Sequence, residues 1–342
     1  MTQPPPPMAH KGFSKTAKII IAILVVASVA LASTTAVLLS RPLQTGNNIQ
    51  NNNPQNNNNP GGNTTPLRVV LKVDGGVTNG YWTRDVTTDL PDYESTVSYS
   101  VSDVGNRDAS SVNISISIDG KPYSSNVIPS ITTSNSYSSS FSYSTPYDQT
   151  NIVLIRVNCQ DSSDSYTLSI GSTFPSSPYA SSGFSPTIAE FFVTPNEQNL
   201  VATKNSILKS RFFLDPDWTA LWEWVGSHIK YETEDSASYH WQFPKDTLQS
   251  KYGMCADYST LLVSLYRDGV FGPNDTYVVL GTNQYGKGHA WVIVRLPVVG
   301  WYTLDPQENG GFLLNLIGNP FFVSGYTAQY EFNDQQFLTI SS

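Results

Sequence analysis

Between Lys18 and Arg41 the chain runs through 22 residues without a charge, Ile19 to Ser40 (IIIAILVVASVALASTTAVLLS). As a helix this run would be about 33 Å long, close to one hydrocarbon core, and it lacks the polar face that a core helix turns to water. It is therefore expected to be a transmembrane helix over 19–40. Lys11, Lys15 and Lys18 precede it and Arg41 alone borders its far end, which predicts the tail 1–18 in the cytoplasm and the bulk of the chain outside. Ala30-Leu31-Ala32 has the small-residue character of a cleavage site. The apolar sequence nevertheless continues through Ala36, Val37, Leu38 and Leu39, which favours an uncleaved signal anchor in the cell membrane, crossed once.

This placement divides the charge of the chain. Residues 1–66 hold four bases and no acid, so the 27 acids and the other 15 of 19 bases leave about −12 on residues 67–342. Nucleic-acid functions are excluded, because phosphate binding needs clustered Lys and Arg. Charged residues make up only 13% of the sequence, and Ser, Thr, Asn and 19 Tyr carry the polar surface, as suits an exported protein. Residues 41–66, with NNIQNNNPQNNNNPGGNTTP, have almost nothing to bury and read as an Asn/Pro-rich linker. The remaining length suits two domains, each with its own core.

The first spans 67–172. LRVVLKV, YESTVSYSVSDV, SSVNISISIDG, NIVLIRVNC and SYTLSIG alternate with period two between Gly, Asn and Asp turns, the pattern of an all-β sandwich. The stretch VSDVGNRDASSVNISISIDGKPY resembles immunoglobulin-like modules found beside enzymes on prokaryotic surfaces. No titratable cluster occurs here, so a spacer or adhesion role is expected.

The second domain, 173–342, mixes helical and strand signals. FFVTPNEQNLVATKNSIL and DPDWTALWEWVGSHIKYETE predict helices, the latter capped by Asp215 or Asp217, with Leu221, Val225 and Ile229 on one face. Trp218, Trp222 and Trp224 are expected in the core or at its edge, and His228 near the core as a structural histidine. In KYGMCADYSTLLVSLYRDGVF, Gly253 breaks the chain and apolar residues then recur at helical spacing, so Cys255 opens a helix. Unpaired N–H groups and the macrodipole there favour a thiolate, the nucleophilic form. Asp257 in the first turn reads as a cap. Downstream, His289, Trp291 and Ile293 alternate with Ala290, Val292 and Val294 in a strand beginning at His289, and a second strand, Trp301 to Leu304, ends at Asp305-Pro306. A turn over 297–300 would set His289 beside Asp305, the arrangement that a base and its orienting carboxylate require.

With Gly253-Met254-Cys255 and Asp257, His289-Ala290-Trp291-Val292, and Gly300-Trp301 leading to Asp305-Pro306, residues 184–310 resemble the transglutaminase-like superfamily, an α+β papain-like cysteine-enzyme fold. The resemblance implies Cys255 as nucleophile, His289 as base and Asp305 as its orienter, acting on amide bonds of a protein or peptide outside the cell by hydrolysis or acyl transfer. Ala256 stands where the animal enzymes carry Trp, and no Asp-x-Asp-x-Asp-Gly loop occurs, so neither calcium nor any other cofactor is expected. His228, His240 and His289 show no HExxH spacing, so no metal is expected either. The backbone N–H of Cys255 would hold the oxyanion, with Trp241 or Gln242 as a second contributor. Tyr239, Trp241, Trp291 and Trp301 read as core rather than as the lining of a channel that excludes water from an acyl-enzyme, so hydrolysis is expected to dominate. The two cysteines of an exported chain invite a disulfide, but Cys159 closes a sandwich strand while Cys255 opens a helix, and a bond between them is not expected. The alternative is a surface adhesion or scaffold protein whose silent C-terminal fold only binds peptide.

Overall fold

The computed structural model describes residues 66–180, 183–211, 215–232, 240–298, 300–307 and 325–340. The expected tail, membrane segment and linker up to Thr65 lie outside the described residues. Among the described residues no helix is long and apolar enough to cross a membrane.

The N-terminal region is a sandwich of seven strands, β1 (Leu71–Arg84), β2 (Pro91–Asp103), β3 (Ala109–Ile118), β4 (Lys121–Ile131), β5 (Ser136–Pro146), β6 (Asn151–Asn158) and β7 (Ser163–Ile170). They form two antiparallel sheets of order β1-β2-β5 and β4-β3-β6-β7. Val97 and Val101 from one sheet meet Val112, Ile114, Val153, Ile155 and Val157 from the other, all 0–1% exposed. This is what the period-two sequence dictates, since β2, β3 and β6 each turn a β-branched face inward. Two strands go beyond the five expected. β4 is an edge strand, exposed along nearly its whole length and carrying Pro122 and Pro129, so it offers no apolar alternation to read. β5 is the other sheet's edge, and its alternation is of Ser with Tyr and Phe.

The sandwich is joined to the C-terminal region through aromatic contacts. Phe174 lies 4.9 Å from Trp82 of β1 and 5.5–5.7 Å from Phe191, Phe192 and Phe243, measured between ring centroids. Tyr147, just past β5, meets Phe243 edge-on at 4.9 Å. Beside this cluster Arg84 donates to the carbonyl oxygens of Asp89 and Glu190, while the Asp89 carboxylate accepts from the Asn196 N–H at 2.7 Å.

Beyond a short hairpin, β8 (Tyr179–Ala180) and β9 (Gly183–Phe184), come the helices α1 (Pro186–Phe191), α2 (Gln198–Ser210) and α3 (Asp217–His228). The helix expected from Phe191 begins only at Gln198. Pro195 interrupts the segment, and the Glu197 side chain caps the later start by accepting from the Leu200 N–H at 2.9 Å. Pro216, not Asp215 or Asp217, occupies the N-cap of α3, and Asp217 in its first turn instead pairs with Arg211. Leu221, Val225 and Ile229 are buried as expected, and so is Trp222, with Trp218 and Trp224 partly buried at the core's edge. His228 is exposed. It ends the helix and stacks on Trp224 at 4.5 Å, beyond the reach of the core.

After β10 (Lys230–Tyr231), α4 (Pro244–Ser250) and β11 (Tyr252–Gly253) comes α5 (Cys255–Arg267), whose residues from Ala256 to Tyr266 are all buried. It packs against a five-stranded antiparallel sheet of order β14-β13-β12-β15-β16, built from β12 (Thr276–Thr282), β13 (Gly288–Leu296), β14 (Gly300–Leu304), β15 (Thr327–Phe332) and β16 (Phe337–Thr339). A helix buried on all sides needs an apolar or small residue at every position, which Leu261, Leu262, Val263 and Leu265 with Ser259, Thr260 and Ser264 supply.

Candidate active site

Cys255 is the first residue of α5, so its N–H has no intrahelical acceptor, and the helix dipole is at its positive end there. The approach to it is fixed by Asp257. This fully buried carboxylate accepts from the Met254 N–H and from the Gln242 N–H, both at 2.8 Å, binding the segment before α4 to the turn that carries the cysteine. Glycine is required at 253, because a Cβ there would lie 2.8 Å from the Cβ of Asp257. Parallel pairing of Tyr231 with Gly253 adds β10 to the same corner, where the Tyr258 hydroxyl of α5 donates to the Ile229 carbonyl at 2.6 Å. Asp257→Asn would keep one acceptor and set an amide N–H against a backbone N–H. It is expected to cost about 1–3 kcal/mol in denaturant unfolding and to slow the chemistry of Cys255 as its turn loosens.

The histidine and the aspartate come from the sheet. In the β13–β14 register Val292 faces Leu304, so Asp305 emerges at the end of β14 beside the start of β13, where His289 stands. His289 Nε2 lies 2.7 Å from Asp305 Oδ2. Asp305 is held from three further directions. The Gln307 N–H donates to Oδ1 and the Tyr326 hydroxyl to Oδ2, each at 3.1 Å, and the Trp222 indole N–H donates to its main-chain oxygen, also at 3.1 Å. Burial disfavours a charged His289 ring. Its hydrogen bonds to Asp305 and Cys255, and their charges, more than offset that and push its pKa up to about 9. The ring therefore favours its charged form, and with Nε2 held by Asp305 its other nitrogen, Nδ1, is the one open to a second partner.

The structure therefore brings together Cys255, His289 and Asp305 from α5, β13 and the end of β14. Of the groups expected as the second oxyanion contributor, the main-chain N–H groups of Trp241 and Gln242 and the Gln242 side chain already have partners. The Trp241 N–H is spent on the Ser176 carbonyl at 2.8 Å and the Gln242 N–H on Asp257, while the Gln242 side chain turns to Tyr252 and Ser250. Of the aromatic residues read as core, Trp241 and Trp291 are buried. Trp301 is not, being 49% exposed on the outer side of β14 near Tyr277, and Tyr239 lies outside the described residues. Cys159 and Cys255 are both free. No group of His, Cys, Asp and Glu suited to a metal ion occurs among the described residues.

Sequence reasoning did not single out Tyr326, Trp222 or Tyr231 for this site. The Tyr231 phenol has its pKa raised by burial and then by the charges of Cys255, Asp305 and Asp257. Tyr326 follows a long stretch without a strand pattern, and Trp222 reads as one of several core tryptophans, so neither carries a local signal of its contact with Asp305.

The family model described as Transglutaminase-like superfamily matches residues 216–306, and that described as CARDB matches residues 83–165. No curated protein matches the sequence. Among solved structures, LapG of Legionella pneumophila in an EGTA-treated form is 18% identical over 47% of this chain and 81% of its own, with a TM-score of 0.32. The CARDB domain of PF1109 from Pyrococcus furiosus, a solution structure, is 14% identical over 31% of this chain and 98% of its own, with a TM-score of 0.24.

Proposed function

We propose, for a chain in which a CARDB module precedes a domain of the transglutaminase-like superfamily, that the C-terminal domain cleaves amide bonds through a Cys255 thioester, with hydrolysis the dominant outcome. The observation that carries this reading is the 2.7 Å contact of His289 Nε2 with Asp305 Oδ2, in a ring that also bonds the cysteine at the start of α5. Residues 19–40 would anchor the enzyme in the membrane, with a protein or peptide substrate outside the cell.

The chemistry follows from the pairing of the sulfur with the imidazole ring. The Cys255 sulfur, as thiolate, attacks the amide carbonyl carbon, and the carbonyl electron pair moves onto oxygen, which the Cys255 N–H receives at the positive end of α5. As the oxyanion collapses, the C–N bond breaks and the leaving nitrogen takes the proton from His289, departing as a neutral amine. A carbon–sulfur thioester remains. Neutral His289 then takes a proton from water as its oxygen attacks the thioester. The C–S bond breaks, the acid is released, and the thiolate–imidazolium pair is restored. Asp305 fixes the ring throughout and stabilises its charged form.

The test needs no substrate. In the full chain, peptide-resolved mass spectrometry should find Cys255 alkylated by iodoacetamide at pH 6 at least tenfold faster than a simple thiol, which is almost wholly protonated there. Labelling no faster than the simple thiol would remove the enzyme reading in favour of a peptide-binding scaffold. Hydrolysis is then separated from transfer by offering a glutamine-rich protein with a dilute fluorescent amine. Ammonia or new peptide termini without dye incorporation is the expected result, and efficient incorporation would overturn the preference for water.

A further inference from the structure

Tyr326 stands immediately before β15, 21 residues after Asp305, and lies outside the three motifs that define the site. Its ring meets the His289 ring edge-on at 5.2 Å and the Trp291 ring at 5.0 Å, so it is packed in place by the site it serves. Its hydroxyl donates to Asp305 Oδ2, the same oxygen that receives His289 Nε2, while Oδ1 is held by the Gln307 N–H. One carboxylate oxygen thus serves two donors.

From this shared oxygen we propose that Tyr326 is a positioning residue that draws Asp305 charge away from His289 and so lightens the hold of Asp305 on the imidazolium proton. The proposal rests on the thioester reading, in which His289 must surrender that proton to the leaving amine. A phenol donating to a carboxylate oxygen stabilises part of its negative charge, leaving less to stabilise the neighbouring imidazolium. A ring that releases its proton too reluctantly is a poor acid for the departing nitrogen. Among the described residues, several titratable groups surround His289 and its partners, the Tyr179 phenol of β8 within electrostatic reach of Cys255 among them. The others are Cys255 from α5, Asp305 from the end of β14 and the Tyr326 phenol, with the Tyr231 phenol of β10 within electrostatic reach of Cys255 and Asp305.

Tyr326→Phe tests this cleanly, because it deletes only the hydroxyl and keeps the ring against His289 and Trp291. In full chain carrying ring-labelled histidine, with the His289 resonance assigned by its loss in His289→Gln, the titration of His289 is followed by nuclear magnetic resonance. The expected result is a midpoint at higher pH in Tyr326→Phe, with proton binding about two- to fivefold tighter. A purely structural tyrosine would leave the midpoint where it is. An unchanged or lowered midpoint overturns the proposal, the second because it would mean that the hydroxyl chiefly keeps the carboxylate on His289. Alkylation of Cys255 at pH 6, measured on the same samples, separates this outcome from the fate of the enzyme reading. A cysteine no faster than a simple thiol, together with a raised His289 midpoint, would sink the thioester chemistry while leaving the effect of Tyr326 on the ring intact.

Discussion

Cys255→Ala is expected to reduce amide turnover by a factor on the order of 10⁴ or more, with the fold unchanged, because the sulfur forms the only covalent bond to substrate in the proposed mechanism. His289→Ala should cost nearly as much. Without the ring, the thiol has no partner to stabilise its ionised form and the leaving amine has no proton donor. Asp305→Asn keeps a side chain of the same shape but removes the charge that offsets the burial of the imidazolium. It is expected to fall by about 10²–10⁴-fold, and its activity should decline at lower pH than in the parent, since His289 loses its proton sooner. The sign follows from the pKa. The parent ring, at about 9, keeps its proton through neutral pH, and the neutral amide cannot hold it as tightly. In the proposed mechanism the three residues act as one device, so the triple variant should be little worse than Cys255→Ala alone. Ammonia release and new peptide termini, measured for all variants at one pH and then across a pH range, check both claims. Losses that multiply independently would mean that the three side chains do not share one reaction.

The contrast between those three residues and Tyr326 shows what a sequence can reveal about such a site. Cys255 is legible because a glycine, a cysteine and an apolar helical period stand together, each with a local meaning. His289 and Asp305 are legible because two strands with clear alternation are joined by a short turn, and adjacency in an antiparallel pair follows from the chain direction alone. Tyr326 and Trp222 reach Asp305 across 21 and 83 residues, and no period or turn encodes such a contact. The same limit explains His228. It lies three residues after the buried Val225, on the face that a continuing helix would bury, but α3 ends there and the ring turns onto Trp224 instead. In the sandwich, strands that bury one face were readable from their apolar alternation, the edge strands β1 and β7 included. β4 pairs on one side only and exposes both faces for most of its length, so little in its sequence had to be apolar. Pairing at the oxyanion corner was illegible for a related reason. Whether a backbone N–H is available depends on what accepts from it, and the acceptors for Trp241 and Gln242, Ser176 and Asp257, lie 65 and 15 residues away.

A second large effect is expected far from the chemistry, at Phe174. The sequence predicts a sandwich that serves as a spacer, and a spacer needs no packed junction with its neighbour. Phe174 sits between the two regions, 7% exposed, and touches Trp82 from the sandwich and Phe191, Phe192 and Phe243 from the C-terminal domain. Phe174→Ala would remove the ring that all four share and leave a cavity that rigid neighbours cannot fill, at a cost of about 3–5 kcal/mol. The consequence reaches the site by a traceable route. Phe243 stacks on Phe192 at 5.0 Å, Phe192 meets Trp241 at 5.3 Å, and the next residue, Gln242, is tied through Asp257 to the turn bearing Cys255. Calorimetry of the parent should therefore show the sandwich and the C-terminal domain unfolding together, whereas Phe174→Ala should split the transition, with the C-terminal domain melting first and Cys255 alkylating more slowly at pH 6 even below that melt. A variant that loses stability in one undivided transition, with Cys255 as reactive as before, would mean that the ring merely fills space and that the sandwich does not brace the nucleophile.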